Sequence, residues 1–150
     1  MRAVVQRVKS ANVMVKGERV GAIDQGLLVF LGVCLEDTQQ EVLQLSRKVA
    51  KLRIFADEKA PMNIDVQAVG GDILVVSQFT LHAESKKGNR PSFISAAPAE
   101  IAEPLYEKFI QSLTQETGRV IQTGRFGADM SVALVNDGPV TIILDTDQYK

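Results

Sequence analysis

The run ILVVSQFTL, residues 73–81, is apolar until Ser77 and then ends in hydroxyl and amide side chains: Ser77, Gln78 and Thr80, with Phe79 between them. A hydroxyl is a weak nucleophile unless a neighbouring base takes its proton. The chain offers few candidates, with one histidine, His82, and one cysteine, Cys34, among its 150 residues. They lie far apart and in no metal spacing, so no metal site and no cofactor is expected. His82 follows a buried run at once, the place of a loop or edge residue, and has no evident partner for general-base work. Cys34 closes GLLVFLGVC and reads as a core cysteine. There is no Walker sequence and no G-x-S-x-G elbow.

Two readings of the polar strand end stand side by side. Ser77, Gln78 and Thr80 can satisfy a strand end or cap a turn, as such residues often do. Alternatively, they form a pocket floor, where backbone amides after Gln78 stabilise a developing oxyanion without a catalytic histidine. Lys86, Lys87 and Arg90 follow within ten residues of Thr80. They are either a solvated loop or a local seat for an RNA phosphate backbone. With 17 basic and 18 acidic residues and a net charge of −1, the chain has no global field to attract a long nucleic acid, and DNA is not an expected partner.

These residues must be positioned by a fold of ordinary composition, 45% hydrophobic and 23% charged, expected to form one domain over residues 1–150. The apolar stretches of MRAVVQRVKSANVMVKG are too short for a membrane span or a signal segment, so a cytoplasmic protein is expected. Residues 2–24 read as three short strands joined by tight turns, and residues 26–33 as a central strand covered on both faces. Residues 37–53 carry Val42, Leu45, Val49 and Leu52 at helical spacing behind a Thr38/Glu41 capping box.

A loop over 56–72 leads to a second buried strand, 73–81. Ile101, Leu105, Phe109 and Leu113 mark a second helix that starts near 99–102 and closes at Gly118, with Pro104 tolerable in its first turn or so. The C-terminal third returns to strands, including a hairpin about Asp137-Gly138. Pro139 is then the first residue of the returning strand, where proline is tolerated, and its peptide bond is expected to be trans on residue statistics alone. This order favours an α/β (mixed) fold, either one mixed sheet or two packed sheets, with helices on one side. A doubly wound nucleotide fold is disfavoured for want of a glycine-rich fingerprint.

Taken together, MRAVVQRV, SQFTL at 77–81, KGNRPSF at 87–93, TGRFGADM at 123–130 and NDGPVT at 136–141 resemble the D-aminoacyl-tRNA deacylases over essentially the whole chain. The resemblance implies a homodimeric three-layer β/β/α sandwich that hydrolyses the ester between a D-amino acid and the terminal adenosine of tRNA. D-aminoacyl-tRNA and glycyl-tRNA are the implied substrates. It places Ser77, Gln78, Phe79 and Thr80 in the catalytic pocket, with the Phe79 and Thr80 amides facing the scissile carbonyl, and Met130 on the pocket wall. It also implies that Gly138-Pro139 is cis and enters the other subunit's active site as a chiral gate. Lys86, Lys87 and Arg90 are the candidates for contact with the tRNA acceptor end. Two rival readings are a non-catalytic RNA-end or replication-associated binding module, and a hydrolase of small D-amino acid esters or peptides with Thr80 as nucleophile.

Overall fold

Continuous apolar runs of strand length belong where both faces of a sheet are covered, and the run at Gly26–Gly32 occupies such a place. In the computed structural model, which describes residues 1–150, the strands are β1 (Arg2–Val15), β2 (Glu18–Ile23), β3 (Gly26–Gly32), β4 (Asp72–Ser77), β5 (Gln122–Thr123) and β6 (Ser131–Asp145). Two helices, α1 (Gln39–Ala50) and α2 (Ala99–Thr117), are placed among them. β3 pairs antiparallel with β1 and parallel with β4, and β4 pairs parallel with β5. The fold is therefore mixed α/β.

Alternate residues of the central strands enter separate cores. Leu27, Val29, Leu31, Ile73 and Val75 pack with residues of both helices, among them Val42, Leu45, Phe109 and Leu113. Leu28, Leu74 and Val76 pack on the other face with Val8, Ala11, Val13, Val15 and Ile23. The period-2 geometry of a strand separates the two sets. One face is covered by helices and the other by the sheet's own second half.

That second half differs from the sequence expectation. Residues 2–24 form one 14-residue strand and a short partner, not three short strands. β1 pairs with β3 through residues 2–8 and with β2 through residues 11–15, while β6 accompanies it along the opposite edge. The expected hairpin at Asp137-Gly138 is likewise absent: β6 is one strand of 15 residues. An Asp-Gly pair makes a hairpin when the following run folds back on the preceding one, but both runs here pair instead with β1. The register passes from Val8↔Asn136 to Gln6↔Thr141, so residues 137–140 stand opposite Arg7 alone and bulge outward.

α1 has the expected capping box, Thr38 and Glu41 bonding each other's backbone ends. α2 starts at Ala99, within the expected range, and ends at Gly118 with φ 66°. Its buried stripe is Ala102, Tyr106, Phe109 and Leu113, while Ile101 is 40% exposed. Strict four-residue spacing drifts around a helix of 3.6 residues per turn, which carries Ile101 off the face that Leu113 occupies. Pro104 falls in the second turn, on the exposed side. The strand expected over 73–81 ends at Ser77, and Phe79–His82 form one 3₁₀ turn. No helix is long and apolar enough to cross a membrane.

α1 and α2 are joined in the core by a 2.7 Å hydrogen bond between the Ser46 and Ser112 hydroxyls. The Tyr106 hydroxyl ties α2 to the sheet by donating to the Val75 carbonyl at 3.2 Å. Burial pushes the Tyr106 phenol up to about 12. The unfolded chain thus releases this proton first, and stability falls as pH rises from about 10 towards 12, by up to about 1.4 kcal/mol per pH unit. Tyr106→Phe is expected to cost about 0.5–1.5 kcal/mol at neutral pH and to remove this part of the alkaline slope, as denaturant titrations at neutral pH and near pH 11 will show.

Candidate active site

The polar tail of the second buried run takes shape where β4 stops. Leu31 is the last β3 residue opposite β4, paired with Ser77, and its carbonyl then accepts the Gln78 N–H at 2.8 Å. At Gln78 the backbone leaves the strand (φ −145°, ψ 81°) and enters the 3₁₀ turn, to which Gln78 gives no side-chain cap. The Phe79 and Thr80 amides open that turn, where N–H groups have no partner within the helix. The Gln78 side-chain amide instead donates to the Thr80 hydroxyl.

Ser77, Gln78 and Phe79 line a cavity of about 470 Å³ with Tyr106, Phe126 and Met130, and 12 of its 15 lining residues are hydrophobic. Such a cavity suits a flat, weakly polar group oriented by a few polar atoms. Met130 forms part of the wall because Gly124 makes room for it: a Cβ on Gly124 would lie 2.7 Å from the Met130 sulfur. Tyr106 and Phe126 pack with ring centroids 5.5 Å apart. Thr80 is exposed at the rim and does not line the cavity.

No base accompanies the Thr80 hydroxyl. His82 is buried rather than at a loop edge, its Nε2 has no hydrogen-bond partner, and it faces a separate cavity of about 330 Å³ with Arg2 and Cys34. Its burial lowers the imidazole pKa, which keeps the ring neutral at neutral pH. Cys34 is only half-buried, not a full core residue, and burial raises its thiol pKa. It is held as the thiol rather than the reactive thiolate.

The Gly138-Pro139 peptide bond is cis, as the family resemblance implies and contrary to residue statistics. Both residues are exposed, and neither lines the cavity of its own chain. Their bulge is held by side chains that the sequence did not single out. The Arg7 guanidinium donates to the Asp137 carbonyl at 3.1 Å and to the Ile54 carbonyl at 2.6 Å. Asn136 accepts the Val140 N–H at 3.0 Å and donates to the Thr141 hydroxyl at 3.0 Å. Asn136, just before Asp-Gly, was visible as a turn former, whereas nothing in the strand pattern around Arg7 marks it.

Lys86, Lys87 and Arg90 lie in an exposed loop closed by reciprocal 2.8 Å backbone bonds between Glu84 and Ser92. None of the three forms an ion pair. The loop adjoins the cavity mouth through Phe93, whose ring packs on Phe79 with centroids 5.0 Å apart.

The structure thus defines a mixed α/β protein with an apolar cavity, rimmed by amides and hydroxyls and lacking an activated side-chain nucleophile. The family model for D-Tyr-tRNA(Tyr) deacylase matches residues 4–145, and the chain belongs to this family. It is 56% identical over 146 residues to the D-aminoacyl-tRNA deacylase of Flavobacterium johnsoniae, covering 97% of each chain. It is also 56% identical over 146 residues to that of Desulfatibacillum aliphaticivorans, covering 97% of this chain and 99% of the relative. Among solved structures, the c-Myc DNA unwinding element binding protein superposes with a TM-score of 0.91 at 46% identity, over 97% of this chain and 98% of that one. A probable eukaryotic D-amino acid tRNA deacylase shares the fold, with a TM-score of 0.81 at 16% identity over 95% and 97% of the two chains.

Arg7→Ala removes a charged donor from two carbonyls. It is expected to destabilise the protein by about 1.5–3 kcal/mol and to speed hydrogen exchange at the Val140 amide well beyond that at the β3 amides.

Proposed function

We propose that this chain is a D-aminoacyl-tRNA deacylase acting in translation quality control, a metal-independent cytoplasmic enzyme without a cofactor. It works as a homodimer of single 1–150 domains, each a three-layer β/β/α sandwich. The observation that carries this reading is the placement of Gly138-Pro139: a braced, exposed projection that stays out of its own cavity, in a chain whose cavity rim carries Ser77, Gln78 and Phe79. A projection of this kind suits insertion into the cavity of a second copy.

In the proposed complex, the terminal adenosine and its ester lie in the cavity, with the ester carbonyl facing the Phe79 and Thr80 amides. Water adds to this carbonyl, the amides stabilise the oxyanion, and the bond to the ribose oxygen breaks to release the amino acid and free tRNA. The vicinal 2′-hydroxyl of the RNA assists, since Thr80 has no base to activate it, and Thr80 serves in binding and oxyanion stabilisation. The backbone carbonyls of Gly138 and Pro139 from the opposite subunit occupy the space an L side chain needs while the substrate's amino group is captured. Exclusion by a rigid wall rejects more strongly than attraction selects. A backbone wall ignores side-chain identity, so many D-amino acids pass, and glycine passes too. Lys86, Lys87 and Arg90 hold the acceptor end.

The likeness to the c-Myc DNA unwinding element binding protein keeps a second reading in play, a nucleic-acid binder without turnover. The net charge of −1 and the single short basic loop weigh against it. With matched D-Tyr-tRNA and L-Tyr-tRNA, the purified protein is expected to hydrolyse only the D ester, equally fast in EDTA. Protection of both esters would instead establish the binder. Thr80→Ala is expected to retain part of the activity, and a substrate ending in 2′-deoxyadenosine to lose most of it; abolition by Thr80→Ala would make threonine the nucleophile. A Cβ on Gly138, at φ 129°, would lie 2.8 Å from Val140 Cγ2 and 3.1 Å from the Arg7 guanidinium, so Gly138→Ala is expected to displace the gate and erode the D-over-L preference.

A further inference from the structure

Two large aromatic side chains stand in solvent beside the cavity mouth. Phe79 is 55% exposed and Phe93 37% exposed. Their rings meet edge to face, 5.0 Å between centroids and 71° between planes, an arrangement that leaves at least one face of each ring uncovered by the other. Phe79 also lines the cavity, so Phe93 continues the same apolar surface outward from the rim.

The backbone of Phe93 is fixed from both sides. Ser92 exchanges two 2.8 Å hydrogen bonds with Glu84, the Phe93 carbonyl accepts the Ala96 N–H at 3.0 Å, and Ala97 donates to the Val33 carbonyl at the end of the core sheet at 3.0 Å. A ring on such an anchored segment needs little ordering on binding. Between Glu84 and Ser92 the loop presents Lys86, Lys87 and Arg90, all exposed and without ion pairs. Aromatic faces beside unpaired cations match single-stranded RNA, whose unpaired bases stack on aromatic rings while cations take the phosphates.

We propose that Phe93 is a base-stacking residue for the unpaired nucleotide next to the terminal adenosine, with the loop cations on the flanking phosphates. This rests on the deacylase reading, in which the terminal adenosine fills the cavity. The nucleotide just outside then meets Phe93, and the stack holds the acceptor end at the cavity mouth equally in the ground and transition states. Stacking tolerates any base, so the contact adds grip without reading sequence.

The test compares wild type, Phe93→Ala and Phe93→Tyr on D-Tyr-tRNA and on 3′-O-D-tyrosyl-adenosine, which lacks the outer nucleotides. Phe93→Ala is expected to raise KM for the tRNA ester about 5- to 150-fold, the range of one lost stack, with kcat unchanged. The adenosine ester is expected to be indifferent to the substitution, and Phe93→Tyr to restore the tRNA value. An equal loss on both esters would assign Phe93 merely to supporting Phe79, and no loss on either would remove it from binding; both results overturn the proposal. Independently, 2-aminopurine placed next to the terminal adenosine of an acceptor-end hairpin is expected to be quenched by wild type and by Phe93→Tyr but not by Phe93→Ala. Quenching by all three, or by none, likewise overturns the proposal. Failure of the wild type to hydrolyse either ester would refute the deacylase reading itself, a result distinct from all of these.

Discussion

The pairing of β6 along the whole length of β1 is the constraint on which the rest of the structure depends. β1 serves both halves of the sheet, with β3 beside its first part and β2 beside its second, and its inward residues supply both cores. β6 must follow it, yet four β6 residues, 137–140, stand opposite Arg7 alone. The excess cannot stay in the ladder, so it leaves the sheet as a bulge, a device that re-aims side chains or backbone. Arg7 and Asn136 hydrogen-bond to the backbone around it. In the functional reading, this register mismatch is what presents the gate.

The cavity obeys a complementary logic. Strand pairing ends with Ser77, the chain turns at Gln78, and a short 3₁₀ turn points its opening amides away from any helical partner. The wall opposite is set by Gly124, Met130 and Phe126 and is backed by Tyr106, whose hydroxyl is tied to Val75. Nearby groups that could titrate near neutral pH are kept out of action, His82 by burial that holds it neutral and Cys34 by burial that favours its thiol. Such a site has fixed dipoles and shape to offer, and preorganised dipoles are often the largest contribution to catalysis. A substrate that brings its own vicinal hydroxyl fits it.

Much of this was legible in the sequence wherever a local rule decides the structure. The capping box of α1, the glycine stop of α2 and the doubly buried β3 follow from neighbouring residues and appear as expected. What escaped was non-local. Asp137-Gly138 carries a hairpin signal, but whether a run folds back or pairs with a strand more than 120 residues earlier is settled by β1, far away in sequence. The same holds for β1, whose two halves read separately as short strands. By alternation Arg7 shares the face of the buried Ala3 and Val5, and the strand pattern does not name the partners its guanidinium finds there. Those partners, Asp137 and Ile54, are 130 and 47 residues away. Pocket residues within SQFTL and at Met130 were marked by their motifs, and the comparisons agree on the family those motifs suggested.

The central claim is that a cavity in one subunit is gated by Gly138-Pro139 of the other, and a purified heterodimer tests it most directly. One subunit carries Gln78→Pro, which removes the N–H that the Leu31 carbonyl accepts and cannot adopt the φ of −145° there, displacing the Phe79 and Thr80 amides of its cavity; the other carries Gly138→Ala to spoil its gate, with different tags to isolate the mixed species. A two-fold dimer with a gate acting across the interface leaves one site in which an intact cavity meets an intact gate. The heterodimer is then predicted to hydrolyse D-Tyr-tRNA and spare L-Tyr-tRNA, although neither parent homodimer combines activity with selection. A heterodimer no more selective than the Gly138→Ala homodimer would show that each gate serves its own chain and would contradict the account.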